Sequence, residues 1–198
     1  MDPFILHGLN LDLVPLQPCH IDTFLTWYYD FRYRAFFRDN SGYPFSKQKP
    51  EEFENFIRNS PTHYVVSILK ETREPVALLS HGVLRARSGV FRWGYMVDGS
   101  HAGKRHALES AVLHAIVLFE LLHCQKLVAE IIKGDVRVAK LARIAGFQKE
   151  ALLKNETQVD GKLIDEYRYA LFRNVFHKKY KKEIAQIKKA NPHIFAPV

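Results

Sequence analysis

Hydrophobic residues along this chain change their spacing most sharply between Phe91 and Leu122. Phe91, Trp93, Tyr95 and Val97 alternate with smaller or more polar residues, the two-residue period of a strand. The alternation stops in Asp98-Gly99-Ser100-His101-Ala102-Gly103, a run of turn formers. From about Arg105 the apolar positions Leu108, Ala111, Val112, Ala115, Leu118, Phe119 and Leu122 fall three and four apart, so a long helix follows. Strand, small-residue loop and helix in this order make an anion-binding device. First-turn amides and the helix dipole both point at the loop. Lys104, Arg105, His101 and His106 crowd the same spot, which suits a phosphate.

Elsewhere the pattern gives shorter elements. Leu9 to Leu16 alternates and contains a proline near its end, a first strand. Asp22 to Phe37 is rich in aromatics, Trp27 and Tyr33 among them, and reads as a helix packed into the core. Asp39 to Pro44 is a loop, and Ser46 to Asn59 a second helix with Phe53, Phe56 and Ile57 on one face. Strands follow at Tyr64–Leu69 and Val76–Leu84, then the segment described above. After it come a strand at Lys126–Ile132, a helix at Val136–Ala145 stopped by Gly146, and two strands around Asp160-Gly161-Lys162, the last being Ile164–Phe172. The order is β-α-α-β-β-β-α-β-α-β-β, an α/β arrangement in one domain over residues 1–176, with a tail at 177–198.

Composition changes this picture in three places. A hydrophobic content of 47% over 198 residues supports a core, while no run of apolar residues is long enough to span a membrane. The N-terminus has no basic stretch followed by an apolar one, and two cysteines, Cys19 and Cys124, form no disulfide framework, so a cytoplasmic protein is expected. The net charge of +8 is unevenly placed: residues 177–198 hold six lysines and one glutamate, +5 of the total. In that tail Tyr180, Ile184 and Ile187 form a thin apolar stripe among lysines. It reads equally as a helix packed on the body and as a handle for RNA, a ribosome or an acidic partner. His63, His81, His101 and His106 lack metal-ligand spacing, and no metal is expected.

Several stretches together carry a resemblance. They are Leu11 to Leu16 with Asp22 and Trp27; Pro44 to Ile57; Trp93-Gly94-Tyr95-Met96-Val97; the 101–107 loop; Ala145 to Glu150; and Asp160-Gly161-Lys162 with Asp165 and Tyr167. In this order the chain, over roughly residues 8–176, resembles the GNAT family of N-acetyltransferases. It is most similar to the RimJ/RimL-like branch, which acetylates ribosomal-protein N-termini. The resemblance implies a mixed central sheet of about seven strands, splayed at a cofactor wedge and flanked by about four helices, with the basic C-terminal helix added. It implies acetyl-CoA as cofactor, with backbone groups of Met96 and Val97 meeting its pantetheine arm. The loop Ala102, Gly103, Lys104, Arg105, His106 and Ala107 would wrap its pyrophosphate. The implied reaction is direct attack of a primary amine, on a protein N-terminus or a small molecule, on the thioester, in a monomer or homodimer. An α-amine near pKa 8 gives up its proton more readily than lysine near 10.4.

Proton transfer needs side chains, and His81, Tyr95 and Glu150 are the candidates. His81 and Tyr95 lie on central strands and Glu150 near a strand end, and each reads also as a core or surface residue. The chain departs from the family pattern at Arg105, where glycine is usual, and at Ala102, where arginine or glutamine is. It departs again at Val138 and Ala142, where relatives carry the serine or tyrosine that protonates the leaving thiolate. A second reading therefore stands beside the enzyme: a member of the fold without catalysis, serving as a CoA-binding or nucleic-acid- or protein-binding module.

Overall fold

A computed structural model of the chain describes residues 6–29, 50–102, 104–159 and 161–196. The second half of the expected aromatic helix, the 39–44 loop, Gly103 and Asp160 lie outside the described residues, as do the side chains of Phe53, Phe56 and Ile57. The chain divides into two compact units, Met1–Gly82 with Gly94–Leu113 and Val83–Trp93 with His114–Val198.

In the first unit a short strand β1 (Leu6–His7) turns into β2 (Leu11–Pro15), and helix α1 (Ile21–Tyr29) and helix α2 (Pro50–Asn59) lead to β3 (His63–Leu69) and β4 (Pro75–Arg85). All these pairings are antiparallel, with Leu6 opposite Leu13, Leu11 opposite Leu69, and His63 opposite His81. The end of β5 (Val90–Val97) joins the start of β4, where the Asp98 amide donates to the Val76 carbonyl at 2.9 Å. Ile21, Phe24 and Leu25 recur at helical spacing because α1 buries one face. They pack with Trp27, Val14, Val66, Ile68, Leu78 and Met96 into one apolar cluster. Phe24 meets Trp27 edge-on, centroids 4.9 Å apart.

In the second unit β4 turns into β5 through Gly89, whose φ of 59° strains any side chain and where a Cβ would stand a tight 3.2 Å from the Gln125 amide nitrogen. Helix α3 (Arg105–Ile116) runs on through a π-helical turn, Val117–Leu121, to β6 (Lys126–Ile132). A parallel neighbour requires such a crossover. The β5–β6 ladder is parallel and covers Val90, Phe91 and Arg92 against Lys126, Leu127 and Val128, while β5 itself continues to Val97. Helix α4 (Val136–Ala145) is capped by Asp135, whose carboxylate accepts from the Val138 amide at 3.1 Å, and ends at Gly146, φ 100°. Strands β7 (Gln148–Val159) and β8 (Lys162–Phe172) form a long hairpin, and β8 pairs with β6 from Lys126–Phe172 to Ile132–Glu166.

The strand order is β1-β2-β3-β4-β5-β6-β8-β7, one strand more than expected, because the expected first strand starts at Leu9 and leaves out the two-residue β1. Helices also exceed the expected number: α5 (Arg173–Lys179), α6 (Lys181–Ala190) and α7 (Pro192–Phe195) follow the last strand. Phe176, Tyr180, Ile184 and Ile187 are all buried, so the tail's thin apolar stripe is a packed face. Phe176 sits between Phe119 at 4.9 Å and Tyr180 at 5.1 Å, ring centroid to centroid. Among the described residues no helix is long and apolar enough to cross a membrane.

Candidate functional site

The alternation of β5 sends its side chains to two sides. Met96 is 2% exposed and belongs to the cluster with Phe24, Trp27 and Leu78, so its side chain is committed to packing. What Met96 can offer a ligand is its backbone. Val97 is half-buried and ends the strand.

The loop after Val97 folds on itself through short polar contacts. The Asp98 carboxylate accepts from the Ser100 amide at 2.9 Å and from the Ser100 hydroxyl. His101 Nδ1 lies 2.9 Å from Ser100 Oγ and 3.4 Å from Asp98 Oδ2. Burial acts to raise the Asp98 pKa, but the hydrogen bonds from Ser100 and His101 outweigh it and hold the carboxyl below its usual range. The His101 amide donates to Asp98 and the Lys104 amide to His101, so turn follows turn up to the helix. At the helix start the Ala107 amide turns back to the Lys104 carbonyl at 3.1 Å, leaving Arg105 and His106 as the leading amides of α3.

The side chains here are mostly cationic or able to become so. Lys104 and Arg105 are exposed. The His101 and His106 rings are 5.5 Å apart, and His106 Nδ1 is buried without a hydrogen-bond partner. Such an atom calls for a ligand or water. The expected loop residues Ala102, Lys104, Arg105, His106 and Ala107 are thus adjacent at one helix end, and Gly103 lies outside the described residues.

Of the side chains expected to move protons, Tyr95 lies nearest this loop in its bonding. Its hydroxyl donates to the Ala107 carbonyl at 2.7 Å, and burial raises its pKa, so the phenol stays protonated and ties β5 to the first turn of α3. His81, on β4, faces its register partner His63 on β3 with ring centroids 5.3 Å apart. Burial first, and the neighbouring His63 second, push its pKa down to about 4, so the imidazole is neutral near pH 7. Glu150 belongs to the second unit. It is exposed on β7 and ion-paired with Lys126 at 2.6 Å. On α4, Val138 is 42% exposed and Ala142 6%, and neither carries a hydroxyl.

Two positioning residues were invisible to the sequence reading. Glu109 on α3 accepts the amides of Leu9 and Asn10, both at 2.7 Å, that of Leu11 at 3.2 Å, and the Asn10 side chain at 2.8 Å. One carboxylate thereby moors α3 to the β1–β2 turn. Ser110 adds a buried contact to Ser67 on β3, oxygen to oxygen 2.7 Å. The only hint was Gly8, where a Cβ would stand 2.7 Å from both Glu109 Oε1 and the Leu11 carbonyl.

Comparison with known proteins brings these observations together. The family model described as "Acetyltransferase (GNAT) domain" matches residues 10–148. An uncharacterized N-acetyltransferase p20 of Bacillus licheniformis is 28% identical over 109 residues, a match that covers 55% of this chain and 61% of that protein's own length. Among solved structures, spermidine N-acetyltransferase from Vibrio cholerae, in complex with CoA and spermine, superposes with a TM-score of 0.72 at 15% identity, covering 84% of this chain and 98% of that one. Ribosomal-protein-S5-alanine acetyltransferase from Vibrio fischeri gives 0.66 at 16% identity, covering 86% and 97%. Likenesses at such identity show a common fold.

Proposed function

Because the chain belongs to the acetyltransferase (GNAT) domain family, we propose that it transfers an acetyl group from acetyl-CoA to a primary amine, either a protein N-terminus or a small amine. The observation that carries this reading is the segment from Met96 to Ala107, where backbone groups, exposed cations and a buried unpartnered His106 nitrogen converge on one helix start. These groups fit a ligand with a pyrophosphate and an amide-bearing arm. Acetyl-CoA supplies the activated thioester carbonyl. Backbone groups of Met96 and Val97 would align the arm, since the Met96 side chain is already buried. The leading amides of α3 would receive the phosphates without the desolvation that a buried side-chain charge requires. Lys104 and Arg105 add charge, and Arg105 stands where most relatives have glycine.

Tyr95 is a positioning residue in this reading: its hydroxyl holds Ala107 and so fixes the loop. His81, neutral and shielded, suits passing a proton through water rather than holding one. The acceptor amine would then need to lose its proton easily, which favours an α-amine over a lysine side chain. The RimJ/RimL-like resemblance supports a protein N-terminus, and the free thiols of Cys19 and Cys124 fit a reducing cytoplasm.

One observation favours a second reading. Helix α4 presents Val138 and Ala142 where relatives carry a hydroxyl, which suits a binding module of the same fold without turnover. A thermal-shift titration with acetyl-CoA, followed by turnover on peptides with free N-termini and on polyamines, separates the two. Cofactor at about 100 times its dissociation constant should add about 2.7 kcal/mol of stability. Stabilisation with turnover supports the enzyme, and stabilisation without turnover the module. No shift at millimolar acetyl-CoA would remove the transferase and the CoA-binding module alike. At the loop, Arg105→Ala should weaken binding by about 1.5–3 kcal/mol if the guanidinium meets the pyrophosphate, whereas Arg105→Gly should strengthen it if the side chain obstructs.

A further inference from the structure

The cations of the C-terminal helices fall into two sets. Arg173, His177 and Lys188 converge on one carboxylate, Glu120 of the π-helical turn: His177 Nε2 at 2.6 Å, Arg173 Nη2 at 3.7 Å, and Lys188 Nζ in direct contact. Lys178, Lys179, Lys181, Lys182 and Lys189 are exposed, and Glu183 is the one acidic residue of α5 and α6. The apolar positions of the same helices, Phe176, Tyr180, Ile184 and Ile187, all face inward. The result is an outer side of α6 on which Lys182 and Lys189, seven residues apart, stand opposite the buried Ile184 and Ile187, with Lys178, Lys179 and Lys181 exposed just before them and Glu183 the one acidic residue of the two helices. Soluble surfaces ordinarily intersperse both signs.

We propose that this α5–α6 face binds the phosphate backbone of double-stranded nucleic acid. Charge complementarity carries the assignment, and the side-chain inventory narrows it. A membrane surface would be held by apolar side chains inserted beside the lysines, but every large apolar residue from Phe176 to Ile187 is buried. A single strand would be held by aromatic rings stacked on its bases; Tyr180 and Phe176 are turned into the core, and Phe172 at the start of α5, 38% exposed, already has Lys126 Nζ over its ring at 5.6 Å. Lysines alone read phosphates without reading sequence. From Lys182 to Lys189 the helix rises about 10 Å, a length over which a duplex carries about six charges. The face thus matches a short stretch of backbone, and the binding is independent of the acetyl-transfer reading.

The test measures fluorescence polarisation of the full chain with a short labelled RNA duplex and its DNA counterpart between 50 and 200 mM salt. Four phosphate contacts predict a log–log slope of about −3.6, roughly a hundredfold loss of affinity over that range. The Lys178/Lys181/Lys182/Lys189→Gln variant should flatten the slope and bind about tenfold more weakly or worse at intermediate salt. Replacing the same four by arginine should preserve both quantities. Far-ultraviolet circular dichroism should be the same for all three proteins, which certifies that each is folded. Duplex affinity weaker than about 100 μM at low salt, an unchanged slope in the glutamine variant, or attachment to phosphatidylserine vesicles without duplex binding would overturn the proposal.

Discussion

His81 and Gly8 show how single positions are fixed by what surrounds them. The unfolded chain protonates His81 below its ordinary value of 6.5, whereas the folded chain does so only below about 4. Between these values the unfolded state binds more protons, so this residue makes stability rise with pH across that window and adds nothing further above it. The difference corresponds to about 3 kcal/mol. His20, its pKa also lowered by burial and then by Arg73, acts in the same direction. Urea unfolding of wild type and His81→Gln from pH 4.5 to 7.5 should show the shallower pH slope in the variant; equal slopes would mean that the imidazole is hydrated. Gly8 is constrained by space. A methyl group there would meet Glu109 Oε1, the Leu11 carbonyl and Leu113 Cδ1, each at 2.7 Å. Gly8→Ala should therefore destabilise by about 1–3 kcal/mol through overpacking and a displaced Glu109. The cofactor-dependent thermal shift should shrink with it, because Glu109 moors the helix that carries the loop.

At the scale of elements, α3 and the α5–α6 pair are held by carboxylates that the sequence gives no reason to single out. Glu120 is an example. Burial works to raise its pKa, but hydrogen bonds and charge from Lys188 and His177 prevail and lower it. Its contribution is present above the ordinary carboxylate range and is lost as pH falls through its own depressed value. Glu120→Gln should cost about 1–2 kcal/mol, measured as a drop in the unfolding midpoint in denaturant. Ile184→Ala on α6 should cost about 2–5 kcal/mol by opening a cavity. Deleting residues 177–198 should do more, since it strips Tyr180, Ile184 and Ile187 from the core. Circular dichroism of the truncated protein should show a much lower melting temperature; an unchanged one would mean that the helices pack without stabilising.

For the whole molecule, acid should act in two stages. The first, from about pH 6.5 to 4, belongs to the buried imidazoles, and the second, lower, to Asp98 and Glu120, whose carboxyls are hydrogen-bonded in the folded chain. Net charge is already +8 at neutral pH, so protonation also increases self-repulsion. Thermal melts at half-unit pH steps should show stability falling through both windows without recovery. A plateau between pH 6.5 and 4 would exclude the buried-imidazole stage.

The sequence by itself determined where most strands and helices between Leu11 and Phe172 lie, but not β1 or the division of the tail into α5, α6 and α7. Periods of two and of three to four residues are local properties, so α4 is legible to the residue with its Gly146 stop, as is β6. The strand–loop–helix at residues 91–122 and its crowd of cations were equally plain, because their placement depends on neighbours in the chain. Tertiary structure alone decided what those residues do for one another. Glu109 meets amides about a hundred positions away, Tyr95 bonds to α3 rather than standing free, and His81 owes its lowered pKa to burial and a cross-strand neighbour. The lysine-rich tail shows the same division. Its helical stripe could be read from spacing, but only packing against Phe119 and pairing with Glu120 turned one side inward and left five lysines outward. Hydrogen bonds and desolvation depend on distance in space, and a linear pattern does not contain that distance.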